Sequence, residues 1–161
     1  MVEWTEVNVV DDLKIRLVAT KLGLQMLQFP PFGAPAGERN DANRLMNQTA
    51  DELLAYFAGK LRVFTVPLDM QGTDFQLRVW NELLKIPYGE TRSYAQVAEA
   101  IGRPKAVRAV GTANGSNPVA ILVPCHRVIG SSGKLTGYGG GLPLKKRLLE
   151  LEGAWTMGLR M

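Results

Sequence analysis

The chain holds one cysteine and one histidine in 161 residues, and they are adjacent, in Pro124-Cys125-His126-Arg127-Val128. A thiol beside an imidazole suggests a sulfur nucleophile with a base at hand. The thiolate is the attacking form, and a free thiol of pKa ~8.5 supplies only a few per cent of it near neutrality. Neighbours at i and i+1 point apart in a regular helix or strand, so this pair works together only at a turn or through a water. The other reading of a lone cysteine is a small buried hydrophobe. With one Cys and one His there is no ligand set for a closed four-ligand zinc site, and we expect neither metal nor cofactor.

Two charged residues elsewhere also invite a chemical reading. Glu152 lies one residue before the expected end of the last helix, where the helix dipole disfavours negative charge by ~0.3–1 kcal/mol. It shares a stripe with Leu148 and Leu149, at the edge of the buried face. A carboxylate set against both rules needs a partner: His126 is one, and Arg127 is its rival. Arg108 belongs to a helix of small residues, Lys105-Ala106-Val107-Arg108-Ala109-Val110-Gly111-Thr112-Ala113. Helical spacing groups Arg108 with Gly111 and Thr112, away from Val107 and Val110. That helix either admits a partner surface close to its backbone or packs tightly with its arginine in water.

The elements that position these residues follow from pattern. Residues 4–29 alternate apolar and polar and predict an antiparallel meander with one covered face. Residues 30–42 are a Pro/Gly-rich loop. A helix runs from Asn43 to Ala58 with Leu45, Thr49, Leu53 and Tyr56 on one face, Met46, Ala50 and Phe57 beside them, and Gly59 as its stop. We expect a structural domain over 1–65 and a linker at 66–72, then a second domain over 73–161. Thr73-x-x-Gln76 is a capping box opening a helix with Leu77, Trp80, Leu83 and Leu84 inward. Ser93-x-x-Gln96 opens a second, stopped by Gly102, and Pro104 suits the first turn of a third. These last two make a helix-turn-helix candidate. Ala120-Ile121-Leu122-Val123 predicts a short buried strand ended by Pro124. Gly137-Tyr138-Gly139-Gly140-Gly141 is either a phosphate cradle lacking the Walker pattern or a close-approach loop. Pro143 begins the last helix, with Gly153 as its stop.

Composition is ordinary for a globular protein, at 46% apolar and 21% charged residues. We expect a cytoplasmic protein, because no apolar run approaches the ~20 residues of a membrane span and no signal-peptide pattern opens the chain. One cysteine excludes an internal disulfide and suits a reducing compartment. Charge is uneven. Residues 1–70 carry seven Lys/Arg against nine Asp/Glu, a net of −2, and residues 71–161 carry twelve against six, a net of +6. A basic second half hints at a polyanion partner.

Together these residues resemble the O6-alkylguanine-DNA alkyltransferases, from about Pro67 to Gly153: the PCHRV core with SYAQVA, RAVG, NP and TGY around it. Over 1–65 the likeness is limited to the strands-then-helix layout of that family's N-terminal domain. The resemblance implies a two-domain α/β fold: an RNase H-like small antiparallel sheet plus helix, then a mostly helical domain with a winged-helix-like helix-turn-helix and the active-site cysteine. It implies that Cys125 accepts the alkyl group, that His126 takes its proton through a water, and that Glu152 steadies the imidazolium. Asn117 would brace the active-site turn. Tyr94 would crowd the target phosphate and donate to the guanine. Arg108 would enter the base stack, with Ala106, Ala109 and Gly111 allowing close approach to DNA. The carbonyls of Cys125 and Val128 would accept from the exocyclic amine, and Tyr138 would wall the pocket. Gly139 stands where many members carry a serine that helps bind guanine O6, so a backbone N–H is left for that contact. Ala120 replaces a second proline found in some members.

The implied activity is single-turnover transfer of an alkyl group from O6-alkylguanine, and from O4-alkylthymine, in flipped-out duplex DNA to Cys125. The expected partner is double-stranded DNA, bound by a monomer with no membrane or metal involved. A non-catalytic lesion sensor is the alternative, against which Cys125 argues. A thiol hydrolase is a third reading, and it would need an oxyanion hole and turnover.

Overall fold

Alternating side chains build the first sheet. β1 (Glu3–Val10), β2 (Leu13–Ala19) and β3 (Leu24–Gln28) form the expected antiparallel meander. A fourth strand, β4 (Glu38–Arg39), pairs parallel to β1 inside the stretch expected to be loop, giving the order β3-β2-β1-β4. Two residues are too few for a period-two signal, so only pairing reveals it. The central strand is covered on both faces rather than one, since Ile15 to Ala19 are all buried. Arg16 is the reason. Its guanidinium stacks on Trp4 and Phe32 at 4.9 and 4.7 Å, bonds Glu6 at 2.8 Å and reaches the Gly33 carbonyl at 2.7 Å. A charge inside is tolerable there because each face of it finds a partner.

Helix α1 (Arg44–Phe57) follows, capped by Asn43, whose side chain accepts from the Met46 N–H at 3.0 Å. Its buried residues are Met46, Thr49, Leu53 and Tyr56, so the buried face turns slightly towards Met46 and leaves Leu45 half-buried. Gly59 ends it at φ +74, where a side chain would be strained. Leu68, in the segment expected to link, bridges to Leu24, and Leu24 and Asp69 exchange backbone bonds with Pro67 and Leu24 at 2.8 and 2.9 Å.

The structure, a computed structural model, describes residues 1–155 and Leu159; the rest of the expected second domain, 156–158 and 160–161, lies outside the described residues. The chain divides into two compact units, Met1–Gln71 and Gly72–Met161. The second opens with α2 (Asp74–Leu83) under a complete capping box: Gln76 N–H to Thr73 at 3.1 Å and Thr73 N–H to Gln76 at 2.9 Å. Each such cap contributes about 1 kcal/mol. Val79, Trp80 and Leu83 are buried, while Leu84 is 43% exposed rather than inward. Trp80 Nε1 donates to the Ala113 carbonyl at 2.8 Å, fastening this helix to α4 (Val107–Gly115).

Between them, β5 (Arg92–Ser93) leads into α3 (Tyr94–Ala100) under the second complete capping box. Helix α4 starts later than expected. Pro104 opens a turn instead, closed by the Ala106 N–H to the Arg103 carbonyl at 2.9 Å, and proline favours the second place of such turns. After a buried loop, β6 (Val128–Ile129) pairs parallel with β5, and α5 (Leu142–Leu151) ends at Glu152 and Gly153, the latter at φ +72. Among the described residues no helix is long and apolar enough to cross a membrane.

Candidate active site

The cysteine sits in a turn, not at the end of a strand. Residues 119–129 are buried throughout, yet Ala120 and Val123 make only an isolated bridge, with Ile121 at φ +74 between them. A β-branched residue in the left-handed region persists only where its surroundings over-determine it. Asn117 does much of that work. Its Nδ2 donates to the Val123 carbonyl at 2.8 Å and its Oδ1 accepts the Val119 N–H at 3.0 Å. Buried irregular backbone must find such partners. The apolar run therefore folds back on itself, with the Val123 N–H on the Val119 carbonyl at 2.9 Å. It delivers a single 3-10 turn, Cys125–Arg127, the irregular geometry that an adjacent Cys/His pair requires.

His126 is fully buried, and its Nε2 lies 2.8 Å from Oε2 of Glu152. Arg127 grips the same carboxylate through both oxygens, Nε on Oε1 at 2.8 Å and a terminal nitrogen on Oε2 at 2.9 Å, and sends its other nitrogen to the Ile86 carbonyl at 2.7 Å. The two partners weighed for Glu152 are thus both present. Burial pushes the Glu152 carboxyl up, but the bonds from His126 and Arg127 outweigh it and bring it down to about 2. Burial lowers the His126 pKa, against the pull of Glu152, so the ring rests neutral. An ionised carboxylate only accepts, so a neutral ring must carry its proton on Nε2. Nδ1 then holds the lone pair, and it is buried without a hydrogen-bond partner among the described residues. Gly89, at φ +84, permits this packing, since a Cβ there would stand 3.1 Å from the Glu152 carbonyl.

Burial raises the Cys125 thiol, opposed by Asn117 and by the charge of Lys145. Lys145 is fully buried on α5, its Nζ donating to the carbonyls of Val128 at 2.8 Å and Thr136 at 3.3 Å. Burial pulls its own pKa down to about 8. The sequence reading missed this lysine. It lies three and four residues before Leu148 and Leu149, on the stripe that flagged Glu152, so the same helical arithmetic run backwards finds it.

A cavity of about 680 Å³ opens between α4 and the loop after β6. Tyr94, Arg108, Gly111, Tyr138 and Gly139 line it, together with Val107, Asn114 and Thr136. Val107 thus faces the cavity, 38% exposed, rather than packing inward with Val110. The Tyr94 hydroxyl is hydrogen-bonded to Oγ1 of Thr136. Asn114 connects cavity and cysteine, its Nδ2 reaching the Cys125 carbonyl at 3.5 Å. Cys125 itself is 5% exposed and is not among the lining residues. Arg108 and Ala109 are exposed and Ala106 is half-buried on the outer side of α4. Among the described residues no group of His, Cys, Asp and Glu is placed to hold a metal.

Residues 74–154, just over half of the chain, match the family described as 6-O-methylguanine DNA methyltransferase, DNA binding domain. The chain belongs to this methyltransferase family. The methylated-DNA–protein-cysteine methyltransferase of Mycobacterium tuberculosis (strain ATCC 25618 / H37Rv) is 70% identical over 102 residues, 63% of this chain. That match spans 62% of the relative's length. The protein of the same name from Methanosarcina mazei is 58% identical over 141 residues, 86% of this chain and 89% of the other. A crystal structure of Mycobacterium tuberculosis OGT in complex with DNA superposes at a TM-score of 0.86 with 48% identity, covering 94% of this chain and 92% of that one. The methyltransferase match includes Tyr94, Arg108, Cys125, His126 and Glu152 and leaves out the first sheet.

Proposed function

We propose that this protein repairs DNA by direct reversal. It moves the alkyl group of O6-alkylguanine, and of O4-alkylthymine, from duplex DNA to Sγ of Cys125, once per molecule. The observation that carries this is the buried His126–Glu152–Arg127 chain beside the protein's one thiol, with a cavity of about 680 Å³ whose wall residue Asn114 reaches the Cys125 carbonyl. Family membership and the DNA complex of the Mycobacterium tuberculosis relative support it.

In this reading His126 takes the thiol proton on Nδ1 through a water, and Glu152 steadies the imidazolium, as in triad logic. Arg127 keeps the carboxylate ionised so that it can do so. Lys145 favours the thiolate through its charge. The sulfur attacks the alkyl carbon, an S–C bond forms, and the C–O6 bond breaks with its electron pair passing to guanine. Tyr94 protonates the departing base. The product thioether has no easy leaving group and no second cysteine to resolve it, so the reaction stops at one turnover.

The alkyl carbon lies at a base edge inside a duplex, so the nucleotide must flip, at a cost of a few kcal/mol. Arg108 fills the vacated stack as a wedge. Gly111 supports close approach of α4 to DNA: a methyl there would stand 3.9 Å from Tyr94, an ordinary contact, so the fold itself does not require glycine. We take α3, α4 and the β5/β6 pair as a winged-helix-like helix-turn-helix in a DNA-binding and alkyl-accepting domain over 73–161. Residues 1–65 are an RNase H-like structural domain joined through 66–72. Asn117 braces the cysteine turn, and the carbonyls of Cys125 and Val128, with Tyr138 and Gly139, read and enclose the base. The protein acts as a monomer in the cytoplasm, the compartment that a lone thiol suits.

Duplex DNA carrying labelled O6-methylguanine tests the proposal. Label should pass to protein, stop at one equivalent, and fail to transfer in Cys125→Ser. Continued turnover would point to a hydrolase, and binding without transfer to a lesion sensor.

A further inference from the structure

Tyr94, the proton donor in the reading above, is not alone at the cavity wall. Its hydroxyl is hydrogen-bonded to Oγ1 of Thr136, which lines the same cavity three residues before Gly139. Gly139 leaves the loop after β6 without the serine that the family resemblance leads one to expect at that place, so Thr136 is the aliphatic hydroxyl that this loop brings to the cavity. It is also anchored, because its carbonyl accepts from Nζ of the buried Lys145 at 3.3 Å.

Proton placement follows from valence. A phenol carries one hydrogen, and if that hydrogen is to pass to the departing guanine it cannot also be donated to threonine. In the reactive arrangement Thr136 is therefore the donor and the Tyr94 oxygen the acceptor. A hydrogen bond donated to a phenol oxygen favours its ionised form and makes it a stronger acid, and linked hydroxyls polarise one another in one direction.

We propose that Thr136 is a positioning residue for alkyl transfer: its Oγ1–H donates to the Tyr94 oxygen, aims the phenol hydrogen into the cavity and readies it for the leaving base. The proposal rests on Tyr94 acting as proton donor in the repair reaction. The step balances. The C–O6 electron pair goes to guanine, Tyr94 passes its proton to that anion, and Thr136 keeps its own proton bonded to the phenolate. The proton that the thiol gave to His126 restores the phenol through solvent. Burial leaves the Tyr94 pKa raised on balance, and the hydrogen bond from Thr136 works against that rise.

Four proteins test it: Thr136→Val and Thr136→Ser in the otherwise unchanged chain, Tyr94→Phe, and Tyr94→Phe with Thr136→Val. Each is assayed for single-turnover transfer from labelled duplex, alongside thermal melting. Thr136→Val should slow transfer about tenfold, the share of one hydrogen bond. Thr136→Ser should stay within about twofold of the parent, and Thr136→Val should add no further loss within about twofold when Tyr94 is already Phe. A parental rate in Thr136→Val overturns the proposal while leaving the repair function intact. So does an equal slowing with and without the Tyr94 hydroxyl, which would mark a merely structural threonine, whatever the melting temperatures. An unchanged chain that transfers no label overturns the repair reading, and this proposal with it.

Discussion

Nε2 of His126 lies 2.8 Å from Oε2 of Glu152, twenty-six residues further along, at the point where α5 ends. Both side chains are withdrawn from solvent, and Arg127 bonds the carboxylate from its other side. A buried carboxylate at a helix C-terminus meets two penalties, desolvation and the dipole. The bidentate guanidinium offsets both, and that leaves the carboxylate ionised to orient the ring.

Glu152→Gln keeps the shape of the side chain and removes its charge. In the proposed transfer, the imidazolium would then lose its counter-ion. We expect single-turnover transfer to fall about 100-fold, with DNA affinity by fluorescence anisotropy nearly unchanged. An unaltered rate would remove Glu152 from the chemistry.

The same carboxyl should set acid stability. Its folded pKa is about 2 against an ordinary 4.5. A depressed carboxyl contributes stability above its unfolded pKa, and that contribution fades as pH falls from about 4.5 towards 2, on the order of 3 kcal/mol in all. Urea midpoints should drop across that window in the parent and less steeply in Glu152→Gln. Parallel slopes would assign the acid loss to other groups.

Lys145→Met tests the buried ammonium. It removes a positive charge that favours the Cys125 thiolate while keeping an apolar chain of similar length. The pH profile for alkylation of the thiol by iodoacetamide should move to higher pH, and transfer near neutrality should slow. A profile that stays in place would leave Lys145 only its two carbonyl contacts.

Arg108 is exposed on α4 and lines the cavity. Arg108→Ala should slow repair of duplex at least about tenfold and leave reaction with free O6-methylguanine base nearly unchanged. Equal losses on both substrates would rule out a wedge in the base stack.

Much of this architecture was legible because it is local. Two capping boxes, the glycine stops after α1 and α3, and the period-two pattern of β1 to β3 depend on residues within a turn or two of each other. The suspicion around Glu152 arose the same way, from a charge set against a dipole and an apolar stripe. Its partners were narrowed to His126 and Arg127, and choosing between them needed coordinates, which brought in both.

What resisted reading was non-local. Ala120 to Val123 has the composition of a strand, but a strand needs a neighbour along its length, and Asn117 instead satisfies the backbone of a tight buried turn. Two-residue pairs such as β5 with β6 have no periodicity to detect, yet that pair brings Tyr94 and the cysteine turn into one unit. The meetings of Lys145 with Val128 and of Thr136 with Tyr94 span 17 and 42 residues. The chain alone determined which chemical groups exist and which short segments curl or extend, since those preferences lie in neighbouring dihedrals. Only tertiary packing decided which of those groups share a low-dielectric interior, and there proximity sets protonation and hence reactivity.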